Sequence, residues 1–155
     1  MKIASWNVNS LTVRQPQVLQ WLEQSQVDVL CLQELKMESH KFPHEAFAEI
    51  GYQALWSGQK TYNGVAILSK TPLLETQVNL PLYSDEQQRL VAATLETAQG
   101  PLRVIDVYCP NGSSLDSDKF VYKMQWFEAL RAYIHEQLTI YPKLVLTGDF
   151  NIAPD

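Results

Sequence analysis

Apolar and polar positions along the chain fall into two rhythms, one of strands and one of helices. Lys2–Val8 is a short β-rich run that breaks at the turn pair Asn9–Ser10. Val18, Leu19, Trp21 and Leu22 then mark one face of a helix, with Pro16 tolerated near its first turn. Val27–Leu32 is almost continuously apolar, which predicts a strand covered on both faces. A short helix around Pro43 carries Phe47 and Ile50 and stops at Gly51. Five strands follow, at Tyr52–Trp56, Gly64–Leu68, Leu74–Leu80, Leu90–Glu96 and Leu102–Tyr108, separated by turn residues. With no long helix between them, hairpins and a mixed sheet are expected. The clearest helix follows Asp116 and Ser117, either of which can cap it. Phe120, Met124, Phe127, Leu130, Ile134 and Leu138 draw its predicted apolar stripe, and Pro142 prevents its continuation. Lys143–Leu146 is a last buried strand, opening into Thr147–Asn151.

Composition narrows the class. The chain has 155 residues, 46% hydrophobic and 19% charged, which excludes a disordered chain and suits one ordinary domain. The formal charge of −5 excludes binding to nucleic acid by bulk positive charge, so any such contact must be a local patch. No apolar run reaches the ~20 residues of a membrane helix, and the polar start leaves no signal-peptide core. Cys31 and Cys109 lie inside apolar runs and read as reduced core residues, pointing to a cytoplasmic protein. Repeats, low-complexity stretches and linkers are absent from the sequence, so no internal domain boundary is expected.

The candidate chemistry sits at strand ends. Asn7 closes the first strand, Glu34 follows the second, and Asp149 and Asn151 follow the last. Open α/β sheets bind ligands at the carboxyl ends of their strands, so these three clusters converge if their strands share one edge. Their donors are carboxylate and amide oxygens, which suit Mg²⁺ or Mn²⁺ and disfavour zinc. Such a set fits phosphodiester cleavage. A bound metal neutralises charge on the phosphate, an aspartate orients or deprotonates water, and an amide donor steadies the pentacoordinate oxyanion. Asp149 and Asn151 are two apart, so on an extended segment their side chains share a side. Each residue taken singly also has a plain reading. Glu34 can be a solvated loop carboxylate, and Asn7, Gly148–Asp149 and Asn111–Gly112 can be ordinary turns. Tyr108 can be strand-end packing, and Lys119 with Lys123 a solvated helix face. His40, His44 and His135 fall outside every cluster.

Taken in order, Trp6-Asn7-Val8-Asn9, Leu32-Gln33-Glu34-Leu35-Lys36, Val107-Tyr108-Cys109-Pro110-Asn111-Gly112 and Gly148-Asp149-Phe150-Asn151-Ile152-Ala153-Pro154 resemble the endonuclease/exonuclease/phosphatase superfamily. Within it the chain resembles the exonuclease III and apurinic/apyrimidinic endonuclease family over its whole length. Leu-Gln-Glu and Gly-Asp-Phe-Asn are shared with phosphoinositide phosphatases and sphingomyelinases. Lys36, the Tyr-x-Pro-Asn-Gly segment and Lys119-Phe120-x-Tyr122-Lys123 are similar to the DNA-repair branch.

The resemblance implies an α/β fold, half of a four-layer sandwich with a mixed, largely antiparallel sheet flanked by helices. Residues 1–155 would be the N-terminal portion of a single domain, and the family's remaining catalytic aspartates and Asp-His pair would lie beyond Asp155. The chain alone is accordingly expected to be inactive. The resemblance also implies Mg²⁺ (or Mn²⁺) at Glu34, with Asn7, Asp149 and Asn151 in the metal and phosphate site. Asp149 would act in proton transfer, Asn151 would hold the phosphate, and Tyr108 would be catalytic. Arg89, Asn111, Gly112, Lys119 and Lys123 would contact DNA. The implied activity is hydrolysis of phosphodiesters 5′ to abasic sites and removal of 3′ nucleotides, on double-stranded DNA. The full-length enzyme is expected to be monomeric and to have no membrane partner. The alternatives are a lipid phosphodiesterase of the same superfamily or a non-catalytic binding fragment.

Overall fold

A computed structural model of the chain describes residues 1–81, 87–111 and 117–152. Its strands are β1 (Ile3–Asn7), β2 (Val29–Gln33), β3 (Gln53–Ser57), β4 (Val65–Ser69), β5 (Leu74–Val78), β6 (Leu90–Thr97), β7 (Gly100–Tyr108) and β8 (Leu144–Asp149). Its α-helices are α1 (Leu11–Ser25), α2 (His44–Glu49) and α3 (Asp118–Ile140). The strands build two four-stranded sheets, ordered β1-β2-β4-β3 and β5-β6-β7-β8. Each sheet is mixed: β1 runs parallel to β2 and β8 parallel to β7, and every other pair is antiparallel.

The period-2 alternation of the central strands sorts side chains into layers. Val29 and Cys31 of β2, Val65 and Ile67 of β4, Val91, Ala93 and Leu95 of β6, and Val104 of β7 meet between the sheets. The opposite faces carry Leu30, Leu32, Ala66 and Leu68, which pack on Leu11, Val18 and Leu22 of α1 and Phe47 of α2. Ala92, Ile105 and Val107 pack on Trp126, Leu130 and Tyr133 of α3. The result is helix, sheet, sheet, helix, the four-layer arrangement expected. The expected single mixed sheet is resolved here into two packed face to face. β2 is buried at all five positions, as a strand covered on both faces should be.

Three local expectations need correction. Helix α1 begins at Leu11, with the Ser10 hydroxyl accepting from the Val13 amide, so Pro16 lies in its second turn rather than its first. Helix α3 buries Trp126, Leu130, Tyr133 and Gln137, while Met124 and Leu138 of the predicted stripe are 52% and 48% exposed. Apolar residues surround most of this helix, so their spacing does not single out the covered face. Strand β8 runs on to Asp149, beyond the expected Leu146. The cap of α3 is Ser117, whose hydroxyl accepts from the Phe120 amide, and Asp116 lies outside the described residues. No helix of the described residues is long and apolar enough to cross a membrane.

Candidate active site

Parallel pairing brings four strand ends to one rim. Asn7 lies beside Gln33 in the β1–β2 register, which sets Glu34 just past it, and Tyr108 lies beside Asp149 in the β7–β8 register. Two side-chain hydrogen bonds then cross from sheet to sheet. Asn7 Nδ2 donates to Asp149 Oδ2 at 2.8 Å, and the Tyr108 hydroxyl donates to Glu34 Oε1 at 2.7 Å. Asn7, Glu34, Tyr108 and Asp149 thus form the corners of a closed ring.

The backbone is bent to make this possible. Glu34 and Asn151 hold φ of +57° and +50°, left-handed values that ordinary side chains seldom adopt. The Glu34 bend is strapped from both sides: Leu35 and Lys36 donate backbone N–H to Gly64 and Asn63 oxygens at 3.1 and 2.9 Å, and the Ser10 amide donates to Glu34 O at 2.9 Å. Gly148, at φ +140°, is needed where β8 closes on β7, because a Cβ there would lie 1.9 Å from the Val107 oxygen.

Neighbouring groups fix each corner. Asp149 Oδ1 accepts the Asn151 amide at 2.9 Å, and Asn151 Nδ2 donates to the Cys109 oxygen at 2.7 Å. Lys123 Nζ donates to the Asn151 oxygen at 2.9 Å. Asn7 Oδ1 accepts from the Asn9 amide at 3.0 Å, and Lys36 Nζ donates to Asn9 Oδ1 at 2.5 Å. Burial and the bond to Glu34 push the Tyr108 phenol up to about 12, so at neutral pH it keeps its proton and acts as a donor. Burial likewise pushes the Cys109 thiol up to about 12, leaving it un-ionised beneath the site.

The structure therefore gathers Asn7, Glu34, Tyr108, Asp149, Asn151 and Lys123. An open cleft of about 760 Å³ lies over the Asn7–Asp149 side of this group, lined by Ser5, Asn7, Gln33, Asn111, Asp149 and Asn151 among others, while Glu34, Tyr108 and Lys123 stand outside its lining. Asn111 is exposed at its edge, Lys119 is exposed on the first turn of α3, and Gly112 lies outside the described residues. Arg89, expected against DNA, is instead turned inward at 9% exposure. Its guanidinium donates to the Tyr108 oxygen at 3.0 Å and lies 5.2 and 5.7 Å from the Tyr108 and Tyr122 rings, so it props the catalytic candidate from behind. His40, His44 and His135 are exposed and none lines the cleft. Sequence reasoning assigned no site role to Asn9, Lys36 or the Cys109 carbonyl. Asn9 and Lys36 carried a turn signal and a family signal, whereas a backbone carbonyl leaves none.

The residues fit a small hard dication. Among the described residues no three His, Cys, Asp or Glu side chains group into a full protein cage. A cation that keeps most of its waters and takes one or two carboxylates needs no such cage. Glu34 gives one oxygen to Tyr108, and its other oxygen has no hydrogen-bond partner among the described residues. Both Asp149 oxygens already accept N–H donors, which orients that carboxylate for work on water or on an outer-sphere ligand.

This rim sits on a four-layer α/β sandwich whose likeness to known proteins identifies its class. The sequence model of the Endonuclease/Exonuclease/phosphatase family matches residues 4–155, and the chain belongs to that family. Several of the proteins it is similar to are named as exonuclease III-type nucleases and AP endonucleases. It is 35% identical to an exodeoxyribonuclease III of Haemophilus influenzae, over 99% of this chain and 58% of that protein. Its fold superposes with TM-score 0.94 and 51% identity on a 3′ phosphatase from Neisseria bound to a product DNA hairpin, covering 100% of this chain and 59% of that one. An AP endonuclease from Archaeoglobus fulgidus gives TM-score 0.90 and 38% identity, again over 100% of this chain and 59% of that one. The chain thus spans between half and two thirds of the length of these relatives.

Proposed function

We propose that the protein is an Mg²⁺-dependent DNA repair nuclease of exonuclease III type, with Mn²⁺ as a substitute. It would hydrolyse phosphodiesters 5′ to abasic sites and remove 3′ nucleotides from double-stranded DNA. The observation that carries this reading is the ring formed by the Asn7–Asp149 and Tyr108–Glu34 bonds, which gathers hard oxygen donors from four strand ends at one rim. The names of the relatives support DNA as the substrate.

In this reading Glu34 is the principal ligand, with Asn7, Asp149 and Asn151 around the ion and the phosphate. A bound dication would neutralise charge on the non-bridging and leaving oxygens. Asp149, held by the Asn7 amide and the Asn151 N–H, orients the attacking water and takes its proton. Asn151, held by its amide bond to Cys109 O and in hydrogen-bond reach of the Tyr108 hydroxyl, would hold the phosphate beside that hydroxyl. Tyr108, protonated through the working pH range, would offer its hydroxyl as a donor at the scissile phosphate. Because the net charge is −5, grip on the duplex must come locally, from Lys119, Lys123, Asn111 and Gly112.

The reading is tested by Mn²⁺ titration of the chain, followed by electron paramagnetic resonance, and by incision of an abasic duplex by the protein that carries it. Glu34→Gln should weaken Mn²⁺ at least tenfold. Incision should require Mg²⁺ and disappear in Asp149→Asn. Undiminished incision in EDTA, or Mn²⁺ binding indifferent to Glu34, would overturn it.

A further inference from the structure

Between the sheets, where the neighbours are valine, isoleucine, alanine and cysteine, one carboxyl is completely enclosed: Asp106 of β7 is 0% exposed. Its Oδ1 accepts Gln33 Nε2 at 2.8 Å, and its Oδ2 has no hydrogen-bond partner. Burial holds the carboxyl well above the usual range, outweighing the Gln33 amide and the Ala66 backbone N–H, which favour its charged form. Gln33 is itself 1% exposed, and the same nitrogen lies 3.0 Å from Ser5 Oγ and 3.3 Å from the Cys31 oxygen.

A buried polar pair with one unmatched oxygen costs stability that an apolar pair would not. Its placement offers a reason for keeping it. Ser5 stands two residues before Asn7 on β1, Gln33 one before Glu34 on β2, and Asp106 two before Tyr108 on β7. Alternation along a strand puts Ser5 on the same face as Asn7, and Asp106 on the same face as Tyr108. One amide therefore ties three of the four strands that carry the ring, directly beneath it and across the gap between the sheets. Dispersion contacts between flat sheets resist sliding weakly, whereas a directional bond fixes register.

We propose that Gln33, anchored on Asp106 and reaching Ser5, is a positioning residue that sets Asn7, Glu34 and Tyr108 relative to one another. The inference rests on the metal-site reading above, and deepens it by naming what holds the ligands in place. Asp106 is enclosed away from the cleft, and Gln33, at the cleft floor, acts in this assignment through the bonds that hold its neighbours.

Mn²⁺ affinity measured on Asp106→Leu, Asp106→Asn, Ser5→Ala and Glu34→Gln chains tests it, with circular dichroism melting run alongside. Asp106→Leu should stay folded and lose roughly 10–100-fold in Mn²⁺ affinity, the usual cost of removing outer-shell support. Asp106→Asn keeps an acceptor for Gln33 and should stay within threefold of the parent. Ser5→Ala, at an exposed position, should lose a few-fold, and it carries the test if Asp106→Leu does not fold. A folded Asp106→Leu chain with unchanged affinity would show a purely structural pair and overturn the proposal, as would loss in the Asn variant equal to that in the Leu variant. If Glu34→Gln lowers affinity and the Asp106 and Ser5 variants do not, positioning fails and the metal reading stands. If the parent binds no Mn²⁺, the metal reading fails. Positioning is then judged on the Asn7 side-chain amide resonance, which Asp106→Leu should shift and Asp106→Asn should not.

Discussion

The ring at the rim stands on two unequal supports. Glu34 and Tyr108 extend from β2 and β7, central strands whose apolar side chains are covered on both faces. Asn7 and Asp149 extend from β1 and β8, which are the edges of their sheets and are only partly covered along most of their length. The interior pair stands on buried strands, on the straps at the Glu34 bend and on the Gln33–Asp106 bond beneath, whereas the edge pair relies more on its own hydrogen bond. The difference teaches that two bonds of nearly equal length, 2.8 Å between the edges and 2.7 Å between the central strands, play different parts. The Tyr108–Glu34 bond joins positions already held from beneath, whereas the Asn7–Asp149 bond helps to create the positions of its partners.

Mutations can break this contrast in order of size. Leu32→Ala, in the buried centre of β2, should cost roughly 2–5 kcal/mol in urea unfolding, against about 1 kcal/mol for Val145→Ala on the β8 edge. Equal losses would mean that the edges are as tightly packed as the centre. Gly148→Ala should cost about 3 kcal/mol, because its Cβ meets the Val107 oxygen and its φ of +140° is strained for alanine. Melting should fall by roughly 6–12 °C. Nuclear magnetic resonance should show the Asn7–Asp149 hydrogen bond broken while the Tyr108–Glu34 bond persists.

Tyr108→Phe deletes the hydroxyl without a cavity and should cost about 1 kcal/mol of stability, read by chemical denaturation. The smallest effect is a slope with pH. Asp106 holds its proton more tightly when folded than its ordinary value of 3.8 allows unfolded. Its favourable contribution is therefore complete below about pH 4 and is lost as pH rises toward the folded value. Parent stability relative to Asp106→Asn should decline from pH 4 upward. A flat difference across that range would show the carboxyl to be ionised inside the sheets.

Much of this was legible in the sequence, and for a physical reason. Burial on both faces writes itself as an apolar run, so β2 is readable from Val27–Leu32, and a site hung on strand ends is readable from Asn7, Glu34 and Asp149. Helix α3 was harder, since Trp126 and Tyr133 on its buried face and Met124 and Leu138 outside are all apolar. Charge misleads at Arg89, where a cation expected to meet DNA is absorbed by the rings of Tyr108 and Tyr122. The Gln33–Asp106 bond joins residues 73 apart across two sheets, and no local pattern announces such a partner.

The span of the ring in sequence also bears on biosynthesis. Asn7 and Asp149 are 142 positions apart, and Glu34 and Tyr108 are 74 apart. Contacts so distant form only after most of the loop-closure cost has been met, which places them late in folding. A nascent chain leaving the ribosome thus carries most of these reactive groups with no working arrangement of them. The rim is therefore assembled only once β8 has docked beside β7.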